Sequence, residues 1–506
     1  MKYRCSDREK IMKKEIFQTS ASDTVTLFFD PPEDRQPMEC FDLYLNGTLH
    51  CRTEKTHAEF TGLLPETGYD FSVVFRNETI YTIHALTKPL RKRIDIREYG
   101  AAGDEVTMNT AAIQKAIDAC GQDEEIVIPS GVFRTGALRL HSNMSLYLEE
   151  GAVLLGTENP EDYLPWIPSR FEGTEMECYS SLLNLGTLDR TKITCENVLI
   201  HGKGTIESGG RQLAVNIIES ERERMKEYLS AHAELVASCE NEDTLPGRVR
   251  PRLINLSSCR NVRISGLTLK NGASWNVHMI YSENIITDHC TFISEGVWNG
   301  DGWDPDSSKD CSIFACTFYT GDDSVAVKSG KNPEGNAINR PCRNIRVFDC
   351  TCRTGHGIAI GSEISGGIEG IRIYDCDLRN SAFGILIKGT RKRGGYVRDI
   401  TVRDTSLPSV LVRSVNYNDD GIPAPAPPVF EHFLFERLRI SGEALSLEGN
   451  REPVNPIELS GFEGEGYELC DVIIKDSEIE RSGGAVIVKR CRNVKLEGLR
   501  RSDETV

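Results

Sequence analysis

Short runs of alternating apolar and polar residues, each opened by a turn residue, recur along most of this chain. Asn197-Val-Leu-Ile-His, Asn261-Val-Arg-Ile-Ser, Asn284-Ile-Ile-Thr-Asp, Asn344-Ile-Arg-Val-Phe, Gly370-Ile-Arg-Ile-Tyr, Asp399-Ile-Thr-Val-Arg and Asn493-Val-Lys-Leu-Glu are variants of one unit. The closest starts lie roughly 20 to 35 residues apart, and a repeat of that size built on short strands without intervening helices predicts a parallel β-helix. One coil cannot bury its inward face alone, so the coils must stack. Cys290, Cys316, Cys350 and Cys376 hold one place in successive units. A metal or redox ladder is the weaker account of them, because free cysteine behaves as a small buried hydrophobe.

Two segments depart from this rhythm. Residues 15–88 alternate as a small antiparallel β-sandwich: Thr24-Val-Thr-Leu-Phe-Phe29 reads as a strand, and Asn46-Gly47 between two apolar runs signals a type I′ hairpin. Leu64-Pro-Glu-Thr-Gly-Tyr69, then Phe71, Val73 and Phe75, resembles the fibronectin type III pattern, with Tyr69 in the place of its corner tyrosine. A basic linker, Lys88 to Arg93, leads into the solenoid over 94–506. Asn109 to Ile117 reads as a capped amphipathic helix, suited to plug the solenoid's open end. Between coils, residues 208–250 form an insertion, with an amphipathic helix expected over 219–238. The chain is therefore expected to be all-β: a right-handed parallel β-helix preceded by a fibronectin-like sandwich.

Composition narrows the partners. The formal net charge over 506 residues is -17, which argues against nucleic acid, since binding phosphates needs a basic face. A polyanionic ligand must then be held by a local basic patch. The first residues lack an apolar signal segment and no run of about 18 apolar residues occurs, so neither the secretory route nor a membrane span is expected. The 17 cysteines include an odd one and lack metal-type pairing, and they read as reduced in the cytoplasm. The sequence leaves the oligomeric state open.

The candidate chemistry lies in one stretch. Asn299-Gly-Asp301-Gly-Trp-Asp is followed by Thr320-Gly-Asp322-Asp323-Ser, then by Gly355-His356-Gly357 and a basic run through Lys388, Arg391 and Arg393. Adjacent like charges cost free energy, and a solvated acidic loop or a calcium site is the bland account of Asp322 and Asp323. The histidine and the cations shift the balance towards catalysis. Glycoside hydrolysis needs one carboxylic acid to protonate the leaving oxygen and another to handle water. Neighbouring coils lie about 4.8 Å apart, so Asp301 and the Asp322–Asp323 pair can share one cleft.

These four motifs, in this order, resemble those of the polygalacturonases of glycoside hydrolase family 28. Phrases such as Trp275-Asn-Val-His278, Gly361-Ser-Glu363 and Arg391-Lys-Arg393-Gly-Gly resemble its bacterial exo-acting branch. The resemblance implies inverting hydrolysis, with Asp322 as general acid, Asp301 and Asp323 activating water, and His356 tuning the acid. It also implies a pectic oligosaccharide as partner, held by Asn299, His278, Lys388, Arg391, Arg393 and Tyr417, with no metal or cofactor. Leu386 stands where the family usually has an arginine, so the sugar on the leaving side is either a neutral rhamnose, as in a rhamnogalacturonan-type enzyme, or a uronate reached by Arg391. Attack from a chain end on short fragments is expected, with 208–250 and 410–430 walling off the cleft. The rival readings are a calcium-dependent lyase and a non-catalytic carbohydrate-binding scaffold.

Overall fold

The computed structural model describes residues 15–415, 421–480 and 484–502. The chain divides into two compact units at Arg93/Ile94. The first pairs a three-stranded and a four-stranded antiparallel sheet around Leu27, Phe29, Phe41, Phe60 and Phe71. Asn46 and Gly47 both take positive φ, at 48° and 77°, as the expected hairpin turn requires. The Tyr69 hydroxyl accepts a hydrogen bond from the Leu64 N–H at 2.9 Å.

The second unit is a right-handed parallel β-helix, whose described coils build sheets of 13, 8 and 11 strands. Val262, Ile264, Ile285, Ile345 and Val347 point inward into one continuous core that runs from Ile94 to Ile479. The residues that open the repeat units explain their own recurrence. Asn197, Asn261, Asn284, Asn344, Asp399 and Asn493 all lie at φ between 53° and 59°, a left-handed bend that Asn and Asp tolerate better than branched residues. Their amides also stack: Asn197 donates to Asn143 at 2.8 Å, Asn261 to Asn197 at 3.0 Å and Asn284 to Asn261 at 2.7 Å. The cysteine ladder is buried, each thiol donating to the carbonyl two residues earlier at 3.2–3.4 Å. All 16 described cysteines are free thiols.

Two local expectations need correction. The helix Thr110–Ala119 plugs the core with Ile113, Ala116 and Ile117. Asn109 does not cap it through its side chain; the amide instead bonds both backbone groups of Ala102, at 2.7 and 3.0 Å. In the insertion the long helix is Gly210–Arg224, not 219–238, because its buried face, Leu213, Ala214, Ile217 and Ile218, begins earlier. The charged stretch after it breaks into Lys226–Ala231 and Ala233–Ser238, neither of which buries a residue. Helix propensity there is not backed by an apolar face, and packing supplies most helical stability.

Candidate active site

The site stands on the 11-stranded sheet, where alternation sends every second side chain outward. Val325, Ile358 and Ile385 pair in register and point inward. Just before each of these strands, where strict alternation no longer holds, coil-to-coil hydrogen bonds from the Asn276 N–H to the Asp301 carbonyl, the Gly302 N–H to the Asp323 carbonyl, and the Phe383 N–H to the His356 carbonyl fix a first row. That row reads Trp275, Asp301, Asp323, His356, Phe383. A second row runs His278, Asp304, Ala326, Ala359, Leu386, Leu411. A third holds Asp306, Lys328, Lys388 and Arg413. The two alanines leave the floor low where the Asp322–Asp323 turn meets Lys388.

Two charge clusters sit along these rows. Lys328, 4% exposed, donates to Asp301 Oδ2 at 2.8 Å and to Asp304 Oδ1 at 2.6 Å. Burial pushes Asp301 well above the usual carboxylate range and Asp304 up to about 6, against the pull of the single ammonium between them. The second cluster is nearer solvent. His356 Nδ1 lies 2.9 Å from Asp322 Oδ1 and 3.3 Å from Asp323 Oδ1, and Lys388 Nζ lies 3.3 Å from Asp323 Oδ2. Burial opposes the charge on His356, yet its bonds to Asp322 and then Asp323 raise its pKa to about 10. Asp323 is buried too, and Lys388 and His356 nonetheless hold it well below the usual carboxylate range. Asp323 is thus kept anionic beside a protonated imidazole, while burial inclines Asp301, on Lys328, towards holding a proton. Three carboxyl groups from adjacent coils in one cleft suit acid–base cleavage of a glycosidic bond. Donor atoms of Asp322, Asp323 and His356 lie within 4.8 Å of one another, the one cluster of metal-ligand type among the described residues.

Residues 185–419 match the family described as glycosyl hydrolases family 28. They form a family 28 glycosyl hydrolase domain. An exo-poly-alpha-D-galacturonosidase from Dickeya chrysanthemi is 28% identical over 82% of this chain and 79% of its own length. The exopolygalacturonase structure from Thermotoga maritima superposes with a TM-score of 0.66 at 28% identity, covering 80% of this chain and 92% of that one. The family 28 exopolygalacturonase from Yersinia enterocolitica gives a TM-score of 0.80 at 22% identity over 97% and 98% of the two chains, a likeness of fold.

Of the residues singled out from the sequence, this family 28 site brings together Asp301, Asp322, Asp323, His356 and Lys388. Asn299 is half-buried and accepts from Arg250 Nη2 at 2.6 Å. His278 touches no solvent; burial lowers its pKa to about 3, and its ring packs edge-on against Trp275 at 4.7 Å. Arg393 is buried, donating to the Ser362 carbonyl at 3.2 Å and Asn332 Oδ1 at 2.7 Å. Arg391 is exposed and donates to the Glu463 carbonyl at 2.9 Å. It does not stand in for the arginine missing at Leu386, whose outward neighbours are Ala359 and Leu411. Tyr417 lies outside the described residues.

The wall across one end of the cleft comes from an unforeseen element, the hairpin of Ile167–Phe171 and Thr174–Cys178. Ser169 Oγ donates to Asn255 at 3.1 Å. Arg170, fully buried, pairs with Asp306 at 2.7 Å and lies over the Tyr281 ring. Phe171 stacks on Trp275 at 4.9 Å, with Arg252 over both rings. The hairpin therefore lies on the outward rows beginning one coil before Asp301, and His278, between Asn255 and Asp304, is sealed at that end. The insertion contributes its last residues, Arg248 and Arg250, to this wall. From the 410–430 segment, the Ile422 carbonyl accepts from Asn332 at 2.7 Å. The outward parity of Asp304, Lys328 and Asp306 was available in the sequence once inward Trp303 and Val327 set the phase. Two of the hairpin's docking partners, Asn255 and Asp306, lie 86 and 136 residues away and carried no local signal.

Proposed function

We propose that this chain is an exo-acting polygalacturonase that hydrolyses α-galacturonosidic bonds of pectin-derived oligosaccharides with inversion. The observation that carries the reading is a cleft holding Asp301, Asp322, Asp323 and His356 that is blocked one coil away by the 167–178 hairpin. A substrate can then enter only by its end, and a blocked cleft limits the sugar units on that side. Asp322, the least buried of the three carboxyls, gives its proton to the leaving oxygen, and His356 at 2.9 Å resupplies it. Asp323, kept anionic, takes a proton from the attacking water, which Asp301 helps to orient. Lys388 faces the carboxylate of the bound galacturonate. The names of the Dickeya and Thermotoga relatives support the substrate class.

The apolar column at Leu386 and Leu411 favours a second reading within the same chemistry, in which the sugar on the open side is uncharged, as in a rhamnogalacturonan fragment. The fibronectin type III likeness of the first unit is supported by its antiparallel sheets and the Tyr69–Leu64 bond. Digestion of polygalacturonate decides the main reading: small saccharides should accumulate while viscosity stays nearly constant, and chelator should change nothing. A rapid viscosity loss would contradict end-wise attack. An ultraviolet-absorbing unsaturated product that disappears with chelator would mean elimination instead.

A further inference from the structure

Beside the reacting carboxyls lies a fourth, Asp304, which no step of the hydrolysis uses. It shares an ammonium with Asp301: Lys328 Nζ donates to Asp301 Oδ2 at 2.8 Å and to Asp304 Oδ1 at 2.6 Å, and lies 4.3 Å from the centre of the Trp275 ring. All three side chains are buried. Each carboxyl keeps one oxygen out of solvent and without a hydrogen-bond partner, Asp301 Oδ1 and Asp304 Oδ2. Two buried carboxylates on one ammonium leave a negative charge uncompensated, which is costly away from water. The surrounding charges do not settle it. Asp322, Asp323 and Arg250 face Asp301, and Asp323 and Arg252 face Asp304. Both arginines give their hydrogen bonds to backbone carbonyls and, from Arg250, to Asn299. His278, in register with Asp304, is kept neutral by burial, and Asp306, in register with Lys328, is taken by Arg170. Glu363 also draws on the Lys328 ammonium.

We infer that Asp304 is a positioning residue acting through Lys328: by drawing off part of the ammonium, it leaves Asp301 a stronger hydrogen-bond acceptor for the attacking water than a carboxylate paired with a lysine of its own. The inference rests on the hydrolytic reading above and adds the residue that tunes one of the two carboxyls at the water. The physical reason is the geometry of sharing. An ammonium closed on one carboxylate stabilises its anion and makes it a weak base, whereas a second carboxylate on the same nitrogen takes back part of that stabilisation. Burial raises both carboxyls against the pull of Lys328, in the same sense. The trio therefore titrates as a unit. It takes up one proton as pH falls, and Asp301 serves the water once that proton has left to solvent.

The pH dependence of kcat/KM on an oligogalacturonide tests this, with wild type and Asp304→Asn compared as full chains. Asparagine leaves Lys328 wholly to Asp301, so the acid limb should move to lower pH by about one unit or more, and the plateau rate should fall as Asp301 becomes a weaker base. A purely structural side chain would lower the rate at every pH alike. An acid limb that stays in place, whatever the loss of rate, overturns the assignment. If Asp304→Asn does not fold, Asp304→Ala replaces it: a lowered limb supports the assignment and an unmoved one overturns it. Infrared titration, following the carbonyl stretch of protonated carboxyl groups, asks the same question without turnover. The variant should lose its last protonated buried carboxyl at lower pH than wild type, and an unchanged titration overturns the assignment. Failure of wild type to hydrolyse polygalacturonate would count against the proposed activity alone, because the infrared comparison stands apart from it.

Discussion

Replacing Arg170 by methionine should loosen the element that makes this cleft a pocket. Arg170 donates to Asp306 Oδ1 at 2.7 Å and to Ser307 Oγ at 3.1 Å, and it also bonds the Tyr281 hydroxyl. Its side chain is 1% exposed and that of Asp306 is 0%. Although burial works against its charge, Arg170 and His278 hold Asp306 at about 2, while burial keeps His278 neutral. Removing the guanidinium strands a buried carboxylate, a change that costs roughly 3–5 kcal/mol. If that cost is relieved by the hairpin lifting, the closed-to-open ratio falls by about two to three and a half powers of ten. Among the anchors that remain are the Ser169–Asn255 bond, the Phe171–Trp275 stack and the more exposed Arg248–Glu172 ion pair. Viscosity loss per reducing end released from polygalacturonate should therefore rise well above wild type, with faster amide exchange confined to 167–178. Arg170→Met combined with Asp306→Asn should recover much of the closure, since no buried charge is left behind. If the single variant kept both end-wise cleavage and wild-type protection of the hairpin, a latch role for Arg170 would be refuted.

Asp322→Asn should lower the rate by about two to four powers of ten, the usual worth of a positioned proton donor, while oligogalacturonide binding is retained; equal loss of binding would point to a structural role. His356 titrates higher when folded, so its proton stabilises the fold fully below the free value of 6.5 and ceases to do so as pH climbs through about 10. The difference in urea midpoint between wild type and His356→Gln should accordingly be largest near pH 6 and fade towards pH 10, and a pH-independent difference would contradict the assignment. Gly173 lies at φ 77°, and a Cβ there would sit 2.6 Å from the Lys331 nitrogen. Gly173→Ala should thus cost about 1–3 kcal/mol and raise the share of products cut within the polymer, read by chromatography of the digest.

Much of the solenoid was legible because its determinants are local and repeated. Asn197, Asn261 and Asn284 each mark a left-handed bend that few other residues accept, and the inward Val and Ile that follow need only period-two alternation. The Asp301, Asp322–Asp323 and His356 motifs were readable for the same reason: stacking converts a repeat period into adjacency, so residues roughly 20 to 35 positions apart in sequence become neighbours in one row. The roles of Asp304 and Lys328 follow from side-chain parity, which the sequence determines once a single inward residue is fixed. What closes the cleft was decided by tertiary structure alone. Ile167–Cys178 carries no repeat phase, and Arg170 looks like any surface arginine until Asp306 and Tyr281, from later coils, surround it. The start of the insertion helix was likewise set by which apolar face met the core at Leu213 and Ile217, not by the charged stretch with the stronger helical composition. A solenoid's coils are specified by neighbours in sequence, whereas its end-walls are specified by contacts between segments that only the stacked coils bring together.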